Sequence, residues 1–339
     1  MADPIKILSV DGGGIRGVIA ARILMEIETR ARKPLGKVFD LIAGTSTGGI
    51  IACGLAKPSA PLSAEQLLKL YTARGAEIFH RSLWRTVSTA GGVADEKYPA
   101  EPLEGILKET LGEGKLSEIT GPRILVTSYA IELPPVARGS ARTDSTRAPF
   151  FFKSWNVDDP AKPLPAAWDF LLRDVARATS AAPTFFPPAL IYSIAGERAA
   201  LIDGGVVANN PAMCAFAEAM RLWPGREYIV VSIGTGGLER DIPYREAKDW
   251  GLVEWARPVL SVLMDGSCDT VSYELNRILG DRHFRFDISL GTRSDPTAAF
   301  DDMDNTSPEN LQLLQGRAER LLSDPKTTDR LNRLLALIG

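Results

Sequence analysis

The chain has 339 residues, 45% of them hydrophobic and 24% charged, which is the balance of an ordinary water-soluble globular protein. Its formal net charge is −3, and Lys and Arg are spread along the sequence, which excludes the basic footprint of a nucleic-acid-binding protein. The longest weakly polar run, residues 38–56, is a poor membrane span because Asp40, several glycines and several hydroxyls interrupt it.

Short apolar runs alternate with amphipathic patterns along the chain. Runs such as residues 228–233 carry no polar alternation, which predicts strands covered on both faces. The predicted strands are 6–11, 39–45, 123–131, 149–155, 199–203, 228–234 and 283–289. The predicted helices are 17–31, 48–56, 63–78, 100–111, 165–180, 211–221, 250–279, 307–322 and 327–337.

This alternation predicts the fold class and the domain organisation. Strands that alternate with helices favour an α/β fold, here a three-layer α/β/α sandwich with a mostly parallel central sheet. No stretch has the composition of an interdomain linker, so we expect residues 5–215 to form a core that residues 216–339 complete as one domain. Segments at about 82–99, 133–148 and 291–306 read as long loops, which often act as lids or binding loops.

A serine stands on a sharp turn between the second predicted strand and the following helix. Gly44-Thr-Ser46-Thr-Gly48 has the G-x-S-x-G spacing of a nucleophile elbow, in which the glycines avoid collisions around a strained serine. The helix that begins just after Ser46 directs its positive dipole end toward developing negative charge. A serine alcohol still needs a base and a place for the oxyanion.

A Ser-His-Asp triad is the weaker interpretation because the chain has only two histidines. His80 ends an amphipathic helix and His283 begins a strand, and neither lies in a turn with a catalytic appearance. Asp203 is the better candidate base, since it caps a short apolar strand and two glycines follow it. We expect Asp203 to lie at the same carboxyl edge of the sheet as Ser46. Asn209, Asn210 and Pro211 indicate a helix start, hence scaffold rather than catalyst.

A row of glycines follows the first predicted strand and matches G-x-G-x-x-G from Gly12 to Gly17. Dinucleotide binding is disfavoured, because the second strand does not end in the acidic residue that holds a ribose. Three successive glycines instead permit close approach to an acyl carbonyl, with backbone N–H groups aimed at its oxygen. Arg16 either locks this loop or attracts a phosphate head group, and locking is the preferred alternative.

At this point the sequence resembles a known family, the patatin-like phospholipases. The motifs that carry the resemblance are Asp-Gly-Gly-Gly-Ile-Arg-Gly at 11–17, Gly-Thr-Ser-Thr-Gly at 44–48 and Asp-Gly-Gly at 203–205, where the family frequently has Asp-Gly-Ala. Thr179-Ser-Ala-Ala-Pro-Thr-Phe-Phe-Pro-Pro, Ala208-Asn-Asn-Pro and Ser232-Ile-Gly-Thr-Gly are similar to further stretches of the family. The resemblance is clear over about 5–237 and weaker beyond.

The resemblance implies a patatin-like fold and a lipid acyl hydrolase, of phospholipase A or lysophospholipase type, that works without calcium and without a metal or cofactor. It implies a Ser-Asp dyad with Ser46 as nucleophile and Asp203 as proton acceptor, and an oxyanion hole formed by Gly12, Gly13 and Gly14. The other motif positions carried over are Arg16, Gly17, Gly44, Gly48, Gly204 and Gly205.

Two other functions remain open at this stage. The esterase site could be latent in a signalling effector until a ligand or partner activates it, or the same dyad could transfer the acyl group to an alcohol. We expect a membrane lipid or lysolipid as substrate, transient contact with a membrane surface, no nucleic-acid partner, and a cytoplasmic protein with three reduced cysteines. The candidates for an apolar, lipid-contacting cleft are Leu83, Trp84, Phe150, Phe151, Phe152, Phe185 and Phe186.

Overall fold

The computed structural model describes the following residues: 3–79, 98–132, 147–237, 242–255, 258–291, 295, 298–300 and 302–339. His80, Leu83 and Trp84 lie outside the described residues, as do most of the predicted loops at 82–99 and 133–148. The predictions made for these positions stay predictions.

A central sheet organises the chain. Its strands are β1 (Ile5–Val10), β2 (Leu41–Thr45), β3 (Arg123–Glu132), β4 (Ala148–Lys153), β5 (Ala189–Tyr192), β6 (Arg198–Asp203), β7 (Tyr228–Ile233) and β8 (His283–Phe286). They follow the order β5-β6-β3-β2-β1-β7-β8, with β4 paired to β3 off this path. The pairs β1–β2, β2–β3, β1–β7 and β7–β8 are parallel, whereas β3–β4, β3–β6 and β5–β6 are antiparallel. The predicted α/β fold with a mostly parallel sheet is confirmed.

Helices cover both faces of the sheet. They are α1 (Gly17–Ala31), α2 (Leu35–Val38), α3 (Thr47–Leu55), α4 (Ala64–Ile78), α5 (Glu101–Leu111), α6 (Leu172–Thr179), α7 (Gly205–Ala208), α8 (Ala212–Leu222), α9 (Tyr244–Ala247), α10 (Leu252–Trp255), α11 (Pro258–Leu279), α12 (Pro308–Ser323) and α13 (Pro325–Ile338).

Two hydrophobic clusters show how the three layers form. In β1, Ile7 belongs to the cluster that also contains apolar residues of α8 and α11. Its neighbour Leu8 belongs to the larger cluster, which holds apolar residues of α1, α3, α4, α5, α6, α12 and α13. Successive side chains of a strand point to opposite faces, so a continuously apolar strand needs a helical layer on each side.

The observed elements differ from the predicted ones in several places; the helix predicted for 250–279, for example, is observed as α10 and α11. Strand β5 was not expected; its residues alternate between buried and exposed, as an edge strand with one covered face does. The helix predicted for 165–180 begins only at Leu172, because the preceding residues bond elsewhere. The carboxylate of Asp169 accepts hydrogen bonds from the N–H and hydroxyl of Ser117, and the Phe170 carbonyl accepts from the N–H of Leu116.

The described helices include none that is both long and apolar enough to cross a bilayer. The three cysteines, Cys53, Cys214 and Cys268, form no disulfide. Helix ends follow local rules: Ser63 and Gln66 form a capping box at the start of α4, and the carboxylate of Asp324 accepts from the Thr327 N–H at the start of α13.

The packing of β1 generates a stability prediction. Ile7 has no exposed surface and sits in the middle of the sheet, so Ile7→Ala should lower the free energy of unfolding by about 2–5 kcal/mol through lost burial and a cavity. Urea unfolding followed by circular dichroism measures this loss. Met220→Ala on α8 is the matched control, because Met220 is 50% exposed and its truncation should change stability by about 0.5 kcal/mol or less. Equal losses in both variants would contradict the layer assignment.

Candidate active site

Ser46 stands between β2 and α3 in a backbone conformation that L-residues rarely adopt, with φ 54° and ψ −122°. The flanking glycines permit this turn because no side chain fits there. A Cβ on Gly44 would lie 2.0 Å from the carbonyl oxygen of Gly48, and a Cβ on Gly48 would lie 2.1 Å from the carbonyl oxygen of Val10. The segment therefore has the geometry that the sequence predicted for a nucleophile elbow.

Threonine hydroxyls hold this turn in place. The Ser46 N–H donates to Oγ1 of Thr179 over 2.8 Å, and the same hydroxyl donates to the Thr127 carbonyl over 2.6 Å. Oγ1 of Thr45 donates to the Ala208 carbonyl at 2.6 Å and lies 2.7 Å from Oγ1 of Thr127. Strand β3 and helices α6 and α7 thus share one buried network with the serine. Sequence reasoning missed these roles; the only signal was the position of Thr179 before Ser-Ala-Ala-Pro.

Asp203 ends β6 and lies beside Ser46, as expected. The two residues do not meet for the reason that was expected, namely a shared carboxyl edge of parallel strands. Strand β6 runs antiparallel to β3 and ends in the middle of it, where Asp203 pairs with Ser128. The preceding residue of β3, Thr127, pairs with Thr45 of β2. Asp203 therefore reaches the carboxyl end of β2 because β6 stops level with it, not because parallel strands end together.

The carboxyl of Asp203 is buried, with 5% of the residue exposed. Burial raises its pKa from 3.8 to about 6, while two hydrogen bonds, from the Gly205 N–H and from the Ser46 hydroxyl, act to lower it. The Gly205 N–H donates to Oδ1 over 2.7 Å. Gly204 is also confined, since a Cβ there would lie 2.2 Å from Oγ1 of Thr127. A carboxylate with this pKa can accept a proton near neutral pH.

Of the three N–H groups in the glycine row that were predicted to face an oxyanion, that of Gly12 already has a partner in the structure. The Gly12 N–H donates to the Asn209 carbonyl over 3.1 Å, and the Gly12 carbonyl accepts from Oγ1 of Thr235 over 2.6 Å. Gly13 and Gly14 line the same pocket as Ser46, and among the described residues no hydrogen bond uses their N–H groups. Gly12 therefore anchors the loop, and Gly13 and Gly14 can face an oxyanion.

Neighbouring residues keep the loop in this position. Nε of Arg16 lies 3.4 Å from the Gly13 carbonyl oxygen, which favours the locking role over head-group binding. Gly17 permits α1 to pack closely on α3, since a Cβ there would lie 2.3 Å from Oγ1 of Thr47. The carbonyl oxygen of Met303 accepts from the N–H of Ile15 over 2.8 Å, so a distant segment also holds the loop.

A buried ion pair that the sequence did not reveal fixes the start of the loop. Asp11 is 2% exposed, and its Oδ2 lies 2.7 Å from Nη2 of Arg285 on β8. Arg285 also donates to Oγ of Ser232 on β7 over 2.8 Å and contacts the carboxylate of Asp287. Burial raises the pKa of Asp11, and the charge of Arg285 opposes that rise.

The described histidine takes no part in the site. His283 starts β8, is 7% exposed, and places Nδ1 2.9 Å from Oδ1 of Asn276. Burial lowers its pKa to about 4, so it is neutral at physiological pH. It does not line the pocket that contains Ser46.

A pocket that opens to solvent contains both Ser46 and Asp203, and the empty space it encloses, including open solvent at its mouth, is about 820 Å³. Its walls are mainly apolar and include Ile50, Ile78, Phe79, Leu103, Phe185 and Phe186. The expectation for Phe185 and Phe186 therefore agrees with the structure. The expectation for β4 was wrong: Phe150 and Phe152 are buried in the core, and Phe151 packs on the opposite cluster. Among the described residues, no group of three or more His, Cys, Asp or Glu side chains is arranged to hold a metal.

Comparisons with known proteins found one matching family model and several similar proteins. The family model described as patatin-like phospholipase matches residues 8–216. Patatin-like protein 2 of Oryza sativa subsp. indica is 29% identical over 94% of this chain and 84% of its own length. Patatin-2-Kuras 4 of Solanum tuberosum is 26% identical over 97% of this chain and 89% of its own length.

Solved structures with distant sequences also align. Human GIVD cytosolic phospholipase A2 has a TM-score of 0.47 at 11% identity, over 98% of this chain and 60% of its own. VipD from Legionella pneumophila has a TM-score of 0.37 at 12% identity, over 93% of this chain and 67% of its own.

The contact between Ser46 and Thr179 generates a prediction. Thr179→Val leaves the Ser46 N–H buried without a partner, which should cost about 1–3 kcal/mol and let the strained turn relax. We expect the rate at which a fluorophosphonate labels Ser46 to fall by about tenfold or more. Thr179→Ser keeps the hydroxyl and should retain most of the labelling rate. Equal rates in the two variants would show that the hydroxyl does not hold the turn.

Proposed function

The chain belongs to the patatin-like phospholipase family, and from this premise we propose that it hydrolyses fatty acyl esters of phospholipids or lysophospholipids. We assign Ser46 as the nucleophile and Asp203 as the base. The observation that carries the proposal is the interaction of the Ser46 hydroxyl with a buried carboxyl whose pKa is about 6. Hydrogen-bond reach together with a pKa near the working pH is what a general base requires.

Acylation follows from this arrangement. Asp203 accepts the proton of the Ser46 hydroxyl as the oxygen attacks the ester carbonyl carbon. The N–H groups of Gly13 and Gly14, together with the N-terminus of α3, stabilise the negative charge that develops on the carbonyl oxygen. The intermediate collapses, the lipid alcohol leaves with the proton from Asp203, and the fatty acyl group remains on Ser46. Water then releases the fatty acid by the same chemistry.

The pocket supports a lipid rather than a polar ester as substrate. Its walls offer aliphatic and aromatic side chains for an acyl chain, and its polar groups concentrate around Ser46. Burying an acyl chain contributes about 0.8 kcal/mol per methylene group, which helps to draw the substrate out of a membrane or micelle. We propose further that turnover needs no calcium, because backbone N–H groups supply the oxyanion stabilisation.

Loss of either member of the dyad should abolish turnover. We expect Ser46→Ala and Asp203→Asn to lower kcat on mixed-acyl phospholipid vesicles by about 10³-fold or more, because each removes a group that reacts. Mass spectrometry of released fatty acids measures this, with EGTA in a parallel sample to test calcium. Asn210→Ala is the control, since Oδ1 of Asn210 accepts from the Ala212 N–H at the start of α8 and the residue does not line the pocket. Full turnover in either dyad variant, or its loss in EGTA, would contradict the respective assignment.

The raised pKa of Asp203 sets a pH dependence. The base must be deprotonated, so kcat/KM should be constant above about pH 7 and fall roughly tenfold per unit below pH 6. A folded-state pKa above the unfolded value gives stability below pH 3.8 that is lost as the pH rises through 6, so this residue does not cause acid unfolding. Initial rates with a soluble ester from pH 4.5 to 9 measure the profile. A midpoint near pH 4 would mean that burial does not raise the pKa of the base, and a profile without an acid limb would mean that Asp203 is not the base.

A further inference from the structure

The pocket around Ser46 has walls from both helical layers, because it lies at an edge of the sheet that separates them. One wall comes from helices α3, α4 and α5, and its residues Ile50, Ile78 and Leu103 belong to the larger hydrophobic cluster. The opposite wall comes from α7 and α11, through Val206 and Met264. Helix α11 packs with its C-terminal half on the cluster at the other face of the sheet. The pocket therefore has two arms that meet at Ser46, which we call the α4 arm and the α11 arm.

The two arms differ in how much solvent their walls meet. The wall residues Ile50, Ile78 and Leu103 of the α4 arm are buried. In the α11 arm, Val206 is 37% exposed and Met264 is half-buried. A closed apolar arm suits a hydrocarbon chain, whose burial is favourable along its whole length. An open arm suits the part of a lipid that stays in contact with the membrane.

The α4 arm follows one face of helix α4. Near Ser46 it is lined by Tyr71, whose hydroxyl accepts a hydrogen bond from Oγ1 of Thr47 over 2.6 Å. Ile78 lies on the same face of α4, two helical turns or about 10 Å further along the helix axis. Phe79, which also lines the pocket, directly follows the last residue of α4. An acyl chain that leaves an ester carbonyl at Ser46 can therefore extend along α4 toward Phe79.

Two aromatic rings stand at the far end of this arm. Phe79 and Phe186 both line the pocket, and their ring centroids lie 5.9 Å apart. Tyr98 packs on both rings, with its centroid 5.5 Å from that of Phe79 and 5.9 Å from that of Phe186, but it does not line the pocket. Its hydroxyl donates to Oδ2 of Asp304 over 2.7 Å, and its N–H donates to the Phe185 carbonyl over 2.8 Å. The two rings therefore form a wall that a firmly held third ring supports from behind.

We propose that the α4 arm binds the acyl chain, that the α11 arm takes the alcohol portion of the ester, and that Phe79 and Phe186 limit the length of the acyl chain. This proposal rests on the function proposed above and adds to it the orientation of the substrate and two specificity-determining residues. Each methylene group that the α4 arm buries should raise kcat/KM about fourfold. A chain that has reached the two rings gains nothing from further methylene groups, because the wall leaves them no apolar surface to cover.

A series of esters that differ only in the acyl chain tests the limit. The substrates are p-nitrophenyl esters from butyrate to palmitate, in mixed detergent micelles of fixed composition. In the parent protein, kcat/KM should rise with chain length and then stop rising. In Phe79→Ala and in Phe186→Ala, the chain length of highest kcat/KM should increase by about two carbons or more. The ratio of kcat/KM for the longer esters to that for butyrate should then rise by about tenfold or more.

A second series, in which only the alcohol changes, tests the orientation. Its substrates are butyrate esters of alcohols from ethanol to dodecanol, in the same micelles. Met264→Ala is the matched variant, because it truncates an apolar side chain in the α11 arm. It should change the dependence of kcat/KM on the length of the alcohol and keep the parent's dependence on the length of the acyl chain. Phe79→Ala and Phe186→Ala should show the reverse pattern.

Two variants of the same wall guard against a loss of folding. Phe186 is 5% exposed and its truncation leaves a core cavity, whereas Phe79 is half-buried and its truncation costs less stability. Thermal unfolding followed by circular dichroism identifies the folded variants. The proposal is overturned if the folded variants keep the parent's acyl-chain dependence, or if they change the alcohol series instead. A parent protein that hydrolyses neither series would overturn the proposed function itself, a result distinct from activity with an unchanged chain-length profile.

Discussion

The strained backbone of Ser46 is the constraint on which the site depends. A residue at φ 54° and ψ −122° holds that conformation only where its surroundings over-determine it. Here the N–H of Ser46 donates to the hydroxyl of Thr179. The backbone around residues 44 and 48 is packed so closely that only glycine, which has no side chain, fits at either position. The turn is thus enforced from β3 and α6 as well as from the strand and helix that it joins. The backbone geometry of Ser46, the proposed nucleophile, is therefore a property of the layered fold and not of the pentapeptide alone.

Asp203, the proposed base, illustrates how a function can oppose stability in the same fold. Burial makes the charged form of Asp203 unfavourable, and two hydrogen bonds offset only part of that cost. A neutral side chain would suit the site better energetically but could not accept a proton. The protein tolerates this carboxylate because the two large clusters on either side of the sheet supply the stability.

The layers of the fold and the reactive side chains of the site could be predicted from the sequence, because both depend on local sequence patterns. Continuous apolar runs predicted the buried strands, and glycine spacing predicted the elbow at Ser46. Long-range pairing was not predictable: nothing near Asp203 in the sequence indicates that β6 runs antiparallel to β3. The Gly12 N–H is a second example. The sequence predicted that it faces the oxyanion, but in the structure it donates to the carbonyl of Asn209, almost 200 positions later in the chain. Partners of single backbone groups are set by tertiary structure.

The glycine loop is held from segments that lie far along the chain. Gly12 is bound by Thr235, Asp11 by Arg285, and Ile15 by the carbonyl of Met303. During synthesis the ribosome adds these anchors well after the serine turn has emerged. A nascent or prematurely terminated polypeptide that lacks them therefore has no fixed loop, and we expect it to lack the proposed activity. Because the anchors are dispersed along the chain, the proposed site is complete only after all of them have been synthesised.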